Sequence, residues 1–131
     1  MALTFSKIIL SAERYESAGV FDVNGNGIPD IVSGGYWYEG PDFKQQHKIG
    51  GVTAHDEYYD DFSTIAMDIN GNGRMDFVTG GWWGETLRWR ENPVDGDQEW
   101  PTHIIGETGS IESTRAWDVD GDGDLEIVPN T

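Results

Sequence analysis

An all-β fold built from repeated units of four antiparallel strands follows from three observations in the sequence. The stretch DVNGNGIPD, Asp22 to Asp30, returns as DINGNGRMD at Asp68 to Asp76 and as DVDGDGDLE at Asp118 to Glu126. Short segments rich in Val, Ile and aromatic residues flank each copy: GVF, IAM and RAW before it, DIVSGG, DFVTGG and EIVPNT after it. No stretch carries the 3.6-residue apolar period of a helix longer than about one turn.

The elements follow in order within each unit. Strand a precedes the acidic loop and strand b leaves it, so the loop is the a to b hairpin connection. Strand c is the aromatic segment YWYEGP or LRWRENP, and strand d the Lys/His-Ile segment SKIIL (6–10), HKIGG (47–51) or HIIGE (103–107). The acidic loops begin at residues 22, 68 and 118, hence 46 and 50 residues apart. A four-stranded repeat with such a period is the sequence signature of a β-propeller blade. The chain then starts in a d strand and stops after a b strand, which makes residues 1–131 a single repeat region of about two and a half blades. Propellers close with about 4 to 8 blades. The region is therefore expected to be a portion of a larger propeller, the alternative being a subunit that closes by homo-oligomerising. Open sheet edges and bare blade faces would otherwise invite aggregation.

Composition narrows the partners. There are 24 acidic residues against 8 basic, a formal net charge of −16, which repels phosphate backbones and anionic headgroups. Nucleic-acid binding and membrane insertion are not expected; cations are. With no cysteine there is neither a disulfide framework nor a zinc-thiolate site. The opening MALTFSKIIL is a poor signal peptide, its apolar run being broken by Thr4, Ser6 and Lys7. If the parent protein is secreted, the signal is expected outside this chain.

The repeated loop has the chemistry of a cage for a hard cation. Oxygen-bearing side chains stand at positions 1, 3, 5 and 9: Asp22, Asn24, Asn26 and Asp30, then Asp68, Asn70, Asn72 and Asp76, then Asp118, Asp120, Asp122 and Glu126. Calcium takes about 6 to 8 oxygens, and a curled loop with one at every second residue can aim them at a point. The backbone carbonyl at position 7, from Ile28, Arg74 or Asp124, is the natural further ligand. Glycine at positions 4 and 6 permits the sharp turn. Up to three calcium ions are expected, the third copy binding most tightly because it carries four carboxylates against two in each of the others. Glu126, one methylene longer than Asp, is the residue that could upset this order. An EF-hand does not fit: position 12 is Ser33, Thr79 or Pro129 where a bidentate Glu belongs, and strand sequence stands where a helix should leave. A dockerin-type helical loop fails for the second reason. The bland alternative, that Asn-Gly and Asp-Gly only make hairpin turns, is weakened by three copies ending in a carboxylate.

With FDVNGNGIPDIVSGG, MDINGNGRMDFVTGG and WDVDGDGDLEIVPN in view, the chain resembles the FG-GAP/VCBS repeat family, the calcium-loop propellers of integrin-α heads and many bacterial secreted proteins. The resemblance implies calcium loops on one face and d to a and b to c loops on the other, the usual ligand face. There the sequence places Tyr36 and Trp37, Trp82 and Trp83, and Asp56 and Glu57 of the long loop VTAHDEYYDDFS. Aromatic rings and acids of this kind suit carbohydrate stacking, and His55 and Tyr58 are the candidates for a catalytic base. Family members include adhesins, lectin-like modules, polysaccharide lyases and a sugar dehydratase, and fold does not choose among them. The expected function is a calcium-binding scaffold of a secreted or surface bacterial protein, extracellular or periplasmic, directed at a polysaccharide or a protein ligand. The alternative is the propeller portion of a carbohydrate-active enzyme.

Plain structural roles compete for several of these residues. Trp117 shares the strand a slot of Phe21 and Met67 and is expected in the core. Trp89, between Arg88 and Arg90, reads as sheet packing on its period-two position. His47 and His103 read as outer-strand residues, His55 as a solvated loop histidine, Tyr58 and Tyr59 as possible packing between blades, and Asp60 and Asp61 as the start of the next strand. No Ser/His/Asp nucleophile, P-loop or closely spaced zinc histidines can be read.

Overall fold

The computed structural model describes residues 1–93 and 98–131, and every described regular element is a strand. The first unit is β1 (Gly19–Phe21), β2 (Asp30–Ser33), β3 (Tyr36–Glu39) and β4 (Gln45–Lys48), antiparallel neighbours in that order. After a small hairpin, β5 (Ala54–His55) and β6 (Tyr58–Tyr59), the second unit repeats the plan. It comprises β7 (Ile65–Met67), β8 (Asp76–Gly80), β9 (Thr86–Arg90) and β10 (Thr102–Glu107). A third unit holds β11 (Ser113–Trp117) paired with β12 (Glu126–Asn130). The expected a, b, c, d order is thus present twice in full and once in half.

Alternation along the strands decides which side chains meet the next unit. In β2, Asp30 and Val32 are buried while Ile31 and Ser33 are half-buried, so one face is covered more than the other. In β8 all five residues are buried, because units stand on both sides of it. Phe77 joins Phe21, Val23, Val32, Trp37, Ile49 and Trp100 in one core, while its neighbour Val78 joins Leu87 and Ile111 in a second, against Ile127 of the third unit. One strand therefore serves two inter-blade interfaces.

Three expectations need correction. Trp117 is 58% exposed where Phe21, in the same slot of the first unit, is 9% exposed. The slot is buried only when a following unit packs on it, and among the described residues none follows the third. Ser6–Leu10 forms no strand, and Ile8 and Ile9 are exposed. A d strand needs a c strand beside it, and the described residues offer this segment none. Asp60 and Asp61 do not begin strand a, which starts at Ile65; both are buried in the connection before it.

Candidate functional site

The three acidic loops share one conformation. Positions 4 and 6 are left-handed in each copy: Gly25 and Gly27 at φ 76° and 83°, Gly71 and Gly73 at 71° and 84°, Gly121 and Gly123 at 82° and 100°. Side chains rarely adopt this backbone, which explains the paired glycines. The curl is held by its own side-chain oxygens. Asp22 accepts from the Gly25 N–H at 2.8 Å and the Gly27 N–H at 2.7 Å, Asn24 from Asn26 at 3.1 Å, and Asn26 from Ile28 at 2.8 Å. The second and third loops repeat the pattern through Asp68, Asn70 and Asn72 and through Asp118, Asp120 and Asp122.

Position 9 has a second task. The Asp30 carboxylate is fully buried and accepts from the Val23 and Gly40 N–H groups, each at 2.8 Å. Asp76, equally buried, accepts from Ile69 at 3.0 Å and Asn92 at 2.8 Å. Each therefore ties the loop's start to the end of strand c. Asn92, which sequence reasoning passed over, also donates from its side chain to the Val23 carbonyl at 2.8 Å and the Met75 carbonyl at 3.1 Å, joining the first two loops across the blade boundary. Its signal was the Glu-Asn-Pro that stands where the first unit has Glu-Gly-Pro.

The donor set fits a hard cation. Carboxylate oxygens of Asp118, Asp120 and Glu126 lie within 4.8 Å of one another, close enough for one ion to bridge. In the first two loops an outer chain of contacts sets the amide at position 3. Asn24 and Asn70 donate their NH₂ groups to Glu39 at 3.5 Å and Glu91 at 3.1 Å, which leaves each amide oxygen turned into its loop. Glu39 is shared with His47 at 3.1 Å and Glu91 with His103 at 2.7 Å; the two imidazoles stack on Trp37 and Trp89 at 4.0 and 4.4 Å. The two outer-strand histidines thus sit at the end of a repeated relay that reaches the loops.

Of the expected ligand-face residues, Trp82 and Trp83 meet in one cleft. Trp82 and Trp83 are 44% and 39% exposed, and with Tyr58, Phe62 and Glu112 they line an open cleft of about 210 Å³. His55 is not simply solvated: it is half-buried and stacks on Trp83 at 4.6 Å, opposite Tyr58 in the β5–β6 hairpin. Asp56 and Glu57 are exposed at the tip of that hairpin, Asp56 with φ 54°, a turn conformation that Asp tolerates. Tyr36 lies elsewhere, beside Tyr15. Trp37 departs from expectation most: it is 6% exposed in the inter-blade core, because its place in β3 points it at the neighbouring unit.

Beneath the aromatic turn lies an ion pair absent from the sequence reading. Asp60 accepts from the Trp83 and Gly84 N–H groups at 3.0 and 3.1 Å and pairs with Arg88 at 3.2 Å. A Cβ on Gly81 would stand 2.1 Å from the Asp60 carboxylate, so the turn that presents both tryptophans depends on glycine there. Asp61 is buried beside it, and desolvation raises its pKa to about 7; the Glu16 N–H, 3.3 Å from its Oδ1, and the Arg88 charge oppose that rise, while Glu16 and Asp60 add to it.

Residues 68–128 match a family model described as FG-GAP-like repeat. No curated protein and no solved structure matches the chain at a significant level.

Proposed function

We propose that this chain, which carries an FG-GAP-like repeat at residues 68–128 and two and a half units of the corresponding strand plan, is a β-propeller-type interaction module held by calcium and directed at carbohydrate. The observation that carries the ligand class is the cleft of Trp82, Trp83, Tyr58 and Phe62 with Glu112 at its rim. Exposed aromatic faces bind the apolar faces of sugar rings, and a rim carboxylate accepts from sugar hydroxyls. The β5–β6 hairpin and the Asp60-anchored turn hold these rings in place, which limits the ordering that opposes binding.

Calcium belongs to the same reading. When bound, it would supply positive charge among clustered carboxylates and draw in the oxygens at positions 1, 3, 5, 7 and 9, with Asp30, Asp76 and Glu126 joining the cage to the strands. Extracellular calcium saturates sites of about 10⁻⁴ to 10⁻³ M, which favours a secreted or surface setting.

Affinity electrophoresis through gels containing neutral or acidic polysaccharides tests the ligand class. The expected result is retardation by at least one polysaccharide that Trp82→Ala and Trp83→Ala abolish while Glu57→Gln does not. Free migration in every gel, or retardation indifferent to both tryptophans, would remove carbohydrate recognition from this cleft.

A further inference from the structure

The first two blades leave between them a second cleft, of about 290 Å³, whose charge differs from that of the rest of the molecule. Arg88 and Arg90, two apart in β9 and so on one side of the strand, both line it. Two of the chain's 8 basic residues meet there, in a molecule of formal charge −16.

The neighbouring carboxylates do not cancel this charge. Asp60 is committed to Arg88 and to the turn at Trp83 and Gly84. Asp61, 4% exposed, is shared between its neutral and charged forms near neutral pH. Arg90 donates to the Gly51 carbonyl and forms no ion pair among the described residues. Burial, and after it the Arg88 charge, lowers its pKa, while the Glu99 and Asp61 charges oppose that fall. A half-buried guanidinium with no ion-pair partner among the described residues is costly, and so is a buried polar atom without a partner. Asp61 Oδ2 and Thr79 Oγ1 are two such atoms, both on residues that line the cleft.

One ligand chemistry answers all three deficits. A carboxylate matches the fork of Arg90, and hydroxyl groups match Thr79 and the protonated acid of Asp61. A dianion would meet Asp60 and gain less. The volume lies just below the roughly 300 to 1,000 Å³ typical of ligand sites, which suits a ligand no larger than a single sugar ring. We propose that this cleft binds a small hydroxylated monocarboxylate of the uronate class, with Arg90 on the carboxylate and Thr79 and Asp61 on the hydroxyls. The two clefts share no lining residue, although the Asp60 turn stands between them.

The groups facing Asp61 are Glu16, Asp60 and Arg88, with Arg90 across the cleft. Losing the Asp61 proton removes a donor and adds a negative charge beside the ligand, so affinity falls as pH rises through about 7.

The test is titration calorimetry of the whole chain with glucuronate, glucose, acetate and inorganic phosphate at pH 6 and pH 8.5. Glucuronate is expected to bind at least about tenfold more tightly than the other three, and about tenfold more weakly at the higher pH. Thr79→Val removes only an unpartnered buried hydroxyl and should not lower the melting temperature, and Arg90→Gln removes the charge that would face the carboxylate; each should weaken glucuronate about fivefold or more. Asp61→Asn should abolish the pH dependence, and Lys44→Gln, in an exposed ion pair with Asp42 outside the cleft, should change nothing. The proposal fails if the folded chain ignores glucuronate, if glucose or phosphate binds as well and Arg90→Gln weakens that binding, or if Thr79→Val and Arg90→Gln leave the glucuronate affinity intact. A pH dependence that survives Asp61→Asn would take Asp61 out of the site.

Discussion

A buried acid held near neutral pH makes stability depend on pH in a direction that can be worked out. The Asp61 pKa is about 7 in the folded chain and near 3.9 in an unfolded one. Below the unfolded value both states carry the proton and Asp61 has no effect. Between the two values the unfolded chain gives up its proton while the folded chain keeps it, so stability falls as pH rises; above about 7 the loss is constant. Asp61→Asn is therefore expected to melt close to wild type at pH 4 and above it at pH 8, by several degrees. Melts across that range check it, and a difference that does not grow with pH would show Asp61 to be solvated. Sequence could not supply this: two adjacent aspartates before a β-branched run read as a strand start. Only the fold pairs Asp60 with Arg88, 28 residues away, and leaves its neighbour enclosed.

At the scale of the elements, the hairpin loop and the end of strand c act as one piece through the position 9 carboxylate. Asp76→Ala leaves the Ile69 and Asn92 N–H groups without their acceptor. Unpaired buried groups cost about 1–3 kcal/mol each; the Ile69 N–H is only partly buried and counts for less, so the substitution should lower stability by about 2–4 kcal/mol. Urea unfolding should show a lower midpoint at unchanged slope. Glu126→Ala is the contrast: it removes an acceptor from one exposed N–H, that of Val119, and should cost under about 1 kcal/mol without metal. Equal losses would mean that burial at Asp76 contributes nothing. The strands themselves were legible because their pattern needs only local sequence: period-two apolar runs, Gly-rich turns and a loop written three times. The β5–β6 hairpin was hidden in a polar stretch, His-Asp-Glu-Tyr, whose turn uses an aspartate at positive φ rather than a glycine. The relay from Asn24 through Glu39 to His47 also escaped, since its members come from three segments and meet only in the folded sheet.

For the whole molecule the governing quantity is charge. A formal charge of −16 opposes compaction, and the acidic loops concentrate part of it in turns that curl their oxygens inward. If calcium fills these turns, each ion binds the folded state and stabilises it by mass action, about 1.4 kcal/mol per site at ten times the dissociation constant. Calorimetric titration of the metal-stripped chain should reach a stoichiometry near three, with the melting temperature rising alongside. Potassium chloride at matched ionic strength should raise it far less, because screening acts on all charges and calcium on the loops alone. The third loop should fill first, with its carboxylates at positions 1, 3, 5 and 9 and the convergence of Asp118, Asp120 and Glu126. Asp120→Asn should then weaken the tightest step toward the others and leave those unchanged, while Asn24→Asp and Asn70→Asp should tighten theirs. A folded chain that takes up no calcium would reduce the loops to hairpin turns. A chain that binds three ions with one common affinity would show that loop geometry, shared by all three copies, outweighs carboxylate number.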